Sequence, residues 1–142
     1  MRYFDASALV KRYVRETGST TVRRLLSLDT PATSRLSEVE VASALVRLAR
    51  EGAFSTAERD RALAAFASDL DAILVVELTE DVTAKATDLL RRHRLRAGDA
   101  IQLASGVFLR ERIGETVTFV AFDRRLTEVA RQEGLDVEPR RR

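Results

Sequence analysis

Cysteine is absent from this 142-residue chain, which excludes disulfides and thiolate metal sites and fits a cytoplasmic protein. A single histidine, His93, leaves Ser-His-Asp and Cys-His mechanisms little support. Only two prolines, Pro31 and Pro139, punctuate the chain, and no repeat, linker or low-complexity tract divides it. No apolar run approaches the roughly 20 residues that span a bilayer. Charges at Arg2 and Asp5 break up the N-terminus where a signal peptide needs a hydrophobic segment. None of the six glycines forms a P-loop or dinucleotide fingerprint. What remains is 45% apolar and 32% charged, the balance of a globular domain with a proper core and no membrane segment.

A sequence pI near 9.5 invites a nucleic-acid reading, but its source is local. Removing Arg140, Arg141 and Arg142 from the 24 basic residues leaves 21 against 22 acids. One domain over residues 1–138 and a short basic tail over 139–142 are therefore expected.

Along the chain, strand and helix signals alternate. Arg2 to Asp5 reads as a first strand with a helix after it to about Val14, and Thr20 to Leu28 as a second helix. Pro31 to Ser34 is a short strand. Ser37 opens a helix with Val39, Val41, Ala42, Leu45, Leu48 and Ala49 facing inward, ended by Gly52. Ser55-Thr56-Ala57-Glu58 matches a capping box and starts a helix to about Leu70. Ile73 to Val76 is a third strand and Asp81 to Arg92 a helix. Gly98-Asp99 opens another helix, with Ala100, Leu103, Ala104, Val107 and Phe108 as its apolar stripe. A β-branched and aromatic strand runs from Val117 to Phe122, a last helix reaches about Gln132, and Leu135 to Val137 reads as an edge strand. Such alternation predicts a three-layer α/β/α sandwich around a central, mainly parallel sheet.

Two of these strands stop at a carboxylate that begins a helix, Tyr3-Phe4-Asp5 and Ala121-Phe122-Asp123. Asp is a favoured helix N-cap, so each has an ordinary structural explanation. Glu40 has one too, because Ser37 to Glu40 follows a capping-box pattern. Asp99 has another, in a first helical turn where the dipole favours an anion. In a right-handed parallel fold, however, helix starts lie near the carboxyl ends of the strands, so all four acids fall on one side of the sheet. Acids converging there repel one another unless a cation neutralises them. An all-oxygen set suits a hard ion such as Mg²⁺ or Mn²⁺.

Phe4-Asp5-Ala6-Ser7-Ala8-Leu9-Val10-Lys11 resembles the opening of PIN-domain ribonucleases, in particular the VapC-type toxins of toxin–antitoxin pairs. Leu36-Ser37-Glu38-Val39-Glu40-Val41 is similar to their second motif, Arg96 to Ala104 to the third, and Phe119 to Leu126 to the fourth. The match runs in register from Arg2 to about Val137. The resemblance implies a PIN-like fold and a Mg²⁺- or Mn²⁺-dependent endoribonuclease. It carries Asp5, Glu40, Asp99 and Asp123 over as the acidic, metal-holding pocket, with Ser7 as a hydroxyl beside it. It also implies an RNA substrate, a cognate antitoxin, a homodimer, and DNA contact only through the antitoxin. Such an antitoxin is expected to wrap a peptide over exposed helices and push a basic side chain into the pocket. The helices Val39–Leu48 and Thr56–Phe66 offer apolar faces for docking or dimerisation through Leu63, Ala65 and Phe66, unless those residues pack on the domain itself.

Arg96, Arg124 and Arg125 flank the pocket in sequence and are candidates to hold RNA phosphates, the alternative being solvated charges at helix ends. His93 reads as a dipole-facing surface residue near a helix end, and Glu38 as solvent-exposed. Other acid-bearing α/β folds fit poorly. A phosphorylated receiver needs a late lysine, and the only lysines are Lys11 and Lys85; a haloacid-dehalogenase-type phosphatase needs an acid where Ser7 stands. The alternative of another class is a PIN-like binding module that regulates through its partner with little catalysis.

Overall fold

A computed structural model describes residues 1–140 of the chain. Five parallel strands form its sheet: β1 (Arg2–Phe4), β2 (Pro31–Ser34), β3 (Leu74–Val76), β4 (Thr118–Val120) and β5 (Asp136–Glu138), in the order β3-β2-β1-β4-β5. All four pairings are parallel, with Tyr3 opposite Ala32 on one side and Phe119 on the other. The chain first builds outward from β1 through β2 to β3, then returns to lay β4 against the other side of β1. The order reverses between β1 and β4, and such a switch point leaves a crevice at the carboxyl ends of those strands.

Among the described residues seven helices cover the two faces: α1 (Ala6–Val10), α2 (Ser19–Leu26), α3 (Leu36–Arg50), α4 (Thr56–Leu70), α5 (Glu80–Arg92), α6 (Ala97–Ile113) and α7 (Arg124–Gln132). Alternation along each strand divides the core. Phe4 and Val120 enter one layer with Leu9, Val22, Val41, Leu45 and Phe66, under α1 to α4. Tyr3 and Phe119 enter the other with Val82, Leu103, Leu126 and Val137, under α5 to α7. The rings of Tyr3 and Phe119 stack with centroids 5.4 Å apart. Helix α6 lies close over this pair because Gly106 has no side chain: a Cβ there would come within 3.2 Å of Phe119. From the central strand, Arg2 reaches Asp29 at 3.0 Å and Glu138 of β5 at 3.1 Å.

The α/β/α sandwich is as expected, and the capping box of Ser55 and Glu58 forms with both hydrogen bonds at 3.0 Å. Several local readings are corrected. Helix α1 stops at Val10 in a turn rather than running on to Val14. No capping box links Ser37 and Glu40: α3 starts at Leu36, one residue early, which places Ser37 inside the helix and buries its hydroxyl. Val39 is 67% exposed, not inward: the buried side of α3 runs through Ser37, Val41 and Leu45, and Val39 lies about 200° around the helix from Val41. Phe108 is half-buried beneath Arg112, while Leu109 takes the buried place. Phe66 lies in the core, so of the apolar α4 face only Ala65 is open and Leu63 half-buried. Among the described residues no helix is long and apolar enough to cross a membrane. Of the basic tail, Arg141 and Arg142 lie outside the described residues.

Candidate active site

Asp5 follows β1 directly and is buried at 4% exposure. Its Oδ1 accepts the Ala8 backbone N–H at 2.8 Å, so it is the N-cap of α1. The Ser7 hydroxyl donates to the same carboxylate at 3.1 Å. Burial pushes the Asp5 carboxyl up to about 7, against the opposing pull of the Ala8 N–H and Ser7 hydroxyl, with the charges of Asp99 and Glu40 adding to the rise. Asp99, half-buried in the first turn of α6, is likewise raised by burial first, then by Asp123 and Glu40, with Arg96 pulling the other way. Asp123 caps α7 by accepting the Leu126 N–H at 2.9 Å and is exposed.

These mutual influences tie the acids into one electrostatic unit, with Asp99 linked to the other three. Capping fixes Asp5 and Asp123 at helix starts beside the crevice, so the structural role of each does not exclude a functional one. Among the described residues none of the four acids makes an ion pair within 4.0 Å. As the side chains lie, no three of the described acids and histidines are gathered tightly enough to share one ion.

Glu40 reaches the site from the second turn of α3, and residues with no assigned role in the sequence hold it there. Its Oε1 accepts the Gln102 side-chain N–H at 2.9 Å. Its Oε2 passes so close to α6 that a Cβ on Gly98 would stand 3.1 Å from it. Glycine at position 98 thus makes room for Glu40 beside Asp99. Gln102 itself is buried, bonded to Tyr3 and Ser37. The one signal that could have exposed it is an amide placed among Ala100, Leu103 and Ala104 on a buried helix face.

A groove of about 680 Å³ opens beside the acids, lined by Leu90, His93, Arg94, Leu95, Arg96, Asp99, Asp123 and Arg125. Arg96 and Arg125 thus border the carboxylates; Arg124, although exposed, does not line this groove. His93 caps the C-terminus of α5, the helix-end place expected of it, but it is not an open surface residue: its Nε2 lies 2.9 Å from Glu133 with both side chains largely covered. Glu38 is exposed and pairs with Arg35 at 3.1 Å.

Parallel strands, a switch-point crevice and a set of acids at its mouth define an α/β protein with a carboxylate site. A model of the PIN domain matches residues 2–132, and the chain belongs to the PIN-domain family. Ribonuclease VapC45 and Ribonuclease VapC49, from two strains of Mycobacterium tuberculosis, are each 39% identical to it over 144 residues, covering 96% of this chain and 94% of theirs. Among solved structures, M. tuberculosis VapC20, described as a Sarcin-Ricin loop cleaving toxin, superposes with a TM-score of 0.67 at 20% identity, covering 91% of this chain and 95% of that one. FitAcB from Neisseria gonorrhoeae superposes at 0.66 with 14% identity over 96% of both chains. At such identities the structural likeness concerns the fold.

Proposed function

We propose that this protein is a divalent-metal-dependent endoribonuclease, the toxin of a toxin–antitoxin pair. The observation that carries the reading is the linked set Asp5, Glu40, Asp99 and Asp123, carboxylates that influence one another electrostatically and that no basic side chain among the described residues pairs with. An all-oxygen donor set, in which the neighbouring carboxylates help raise Asp5 and Asp99, suits a hard cation such as Mg²⁺ or Mn²⁺. Bound there, such an ion supplies a lowered water pKa and neutralises charge at phosphorus and the leaving oxygen.

Asp5 and Asp99 are the direct ligands in this reading. Glu40 is a further ligand or orients the attacking water, and Asp123 acts directly or through a water. Ser7 keeps the Asp5 carboxylate oriented by donating to it. Arg96 and Arg125 hold the RNA phosphates beside the acids, which the groove between them supports. The relatives named as ribonucleases support RNA as substrate.

An antitoxin partner is supported by a second groove, of about 530 Å³, between the α1–α2 connection and the α3–α4 pair. Tyr13, Val14, Leu48, Phe54 and Ala65 give it an apolar floor, and Arg15, Arg23 and Arg61 lie along its rim. A peptide laid there would leave DNA contact to the antitoxin itself. A homodimer and a cytoplasmic setting complete the reading.

Cleavage of total RNA by the purified chain, freed of partner, tests it with EDTA, Mg²⁺ or Mn²⁺ beside Asp99→Asn. Metal-dependent fragments that vanish in the variant are expected. No cleavage under any metal by folded protein would overturn the catalytic reading in favour of a partner-controlled binding module.

A further inference from the structure

The hydrogen bonds behind Glu40 have only one consistent direction. Thr33 Oγ donates to the backbone carbonyl of Phe4 at 2.7 Å, so its hydrogen is committed. Ser37 Oγ, 2.7 Å away, must therefore donate to Thr33. With its own hydrogen used, Ser37 can only accept, and the Gln102 amide nitrogen supplies that bond at 3.0 Å. The second hydrogen of the same nitrogen goes to Glu40 Oε1 at 2.9 Å. At the other end of the amide, Tyr3 donates its hydroxyl to Gln102 Oε1 at 2.6 Å. Tyr3, Thr33, Ser37 and Gln102 are all buried, and among the described residues no buried side-chain nitrogen or oxygen is left without a partner. Turning the amide over would set its oxygen against the Glu40 carboxylate and against Ser37 Oγ, whose hydrogen is already committed to Thr33. The carbonyl of a core strand thus dictates, through Thr33 and Ser37, which face of Gln102 meets Glu40.

We infer that Gln102 is a positioning residue for the site: locked by Tyr3 and by the Phe4–Thr33–Ser37 chain, it pins Glu40 Oε1 and leaves Oε2 to serve the cation. This rests on the reading of Glu40 as a member of the metal pocket. The second oxygen is the one beside Gly98, the neighbour of Asp99, so the pinned rotamer aims the carboxylate toward the first turn of α6. A carboxylate so held loses no rotamer freedom when an ion binds, and partners of this kind typically shift metal affinity by about 10–100-fold when removed.

The test is Mn²⁺ binding to the full, partner-free chain, read by calorimetry beside thermal unfolding. Gln102→Met keeps length and volume but donates nothing. It is expected to unfold cooperatively and to bind Mn²⁺ about tenfold more weakly or worse, as Glu40→Gln does. Should Gln102→Met not fold, Tyr3→Phe takes its place; it removes one hydroxyl, keeps the ring stacked on Phe119, and is expected to weaken Mn²⁺ several-fold. Wild-type affinity in a folded Gln102→Met, or in Tyr3→Phe where that variant decides, overturns the positioning role alone if Glu40→Gln still loses affinity. If the wild type binds no Mn²⁺, or Glu40→Gln binds it undiminished, both the positioning role and the metal reading of Glu40 fall.

Discussion

His93 and Glu133, separated by 40 residues of sequence, meet at 2.9 Å where the end of α5 adjoins the end of α7. Arg92 adds two bonds to the same carboxylate, at 2.6 and 3.0 Å. The Arg92 bonds first, then the His93 contact, hold the Glu133 carboxyl down at about 2.

A group whose folded pKa is depressed stabilises the fold above its unfolded value and loses that effect as pH falls through the folded one. The Glu133 contribution is thus complete above about pH 4.5 and fades toward pH 2. Glu133→Gln should lower the thermal midpoint at pH 7 by roughly 2–4 °C, about 1 kcal/mol for a domain of this size given the exposure of Arg92. Melting curves from pH 7 to 2 should show the gap closing at the acid end.

Asp5 has the opposite sign. Its carboxyl is raised from 3.8 to about 7 in the fold, so the charged form opposes folding. The cost is full above about pH 7, shrinks as pH falls through the interval, and is absent below about 3.8. Asp5→Asn retains the cap, since Asn caps as well as Asp. The variant should melt several degrees higher than wild type at pH 8 and equally near pH 4, while losing RNA cleavage.

The same charge makes metal binding visible without catalysis. Mg²⁺ at about 100 times its Kd should stabilise the wild type by about 2.7 kcal/mol, a rise of several degrees at pH 8 that EDTA reverses. Asp99→Asn should show little of this rise. Differential scanning with and without the ion measures both.

Gly98 permits a substitution that separates the site from stability. Alanine is a better helix former than glycine by about 1 kcal/mol, so Gly98→Ala should not lower the midpoint. Its methyl would stand 3.1 Å from Glu40 Oε2 and force that carboxylate aside. RNA cleavage should fall about tenfold or more while the melting curve stays at or above wild type.

Arg96 and Arg125 border the acidic groove and Arg124 does not. Replacing either of the first two with alanine should weaken RNA binding and flatten its salt dependence by about one unit of slope for each phosphate no longer neutralised. Arg124→Ala should change both less. Titrations of a labelled RNA at several salt concentrations distinguish them.

Much of this protein was legible in the chain because its signals are local. Apolar strands that end on Asp5 and Asp123 announced a parallel sheet, and four spaced acids in apolar settings marked the edge at which its carboxylates gather. Where reading by position failed, the earlier start of α3 put Ser37 inside the helix and left no capping box, while Val39 fell on the side opposite the buried Val41 and Leu45. Periodicity predicts a face but not its phase, which packing against the neighbouring strand and helix decides.

The amino-acid sequence by itself therefore determined the α/β class, the order of the strands' carboxylates, and the absence of thiol chemistry. The tertiary structure alone decided how those carboxylates are held. That Gln102 faces Glu40 with its N–H, that Gly98 makes room for Oε2, and that His93 serves Glu133 depend on contacts spanning 40 to 99 residues of chain. Buried polar groups must find partners wherever the fold brings them, and no local spacing records which partners those will be.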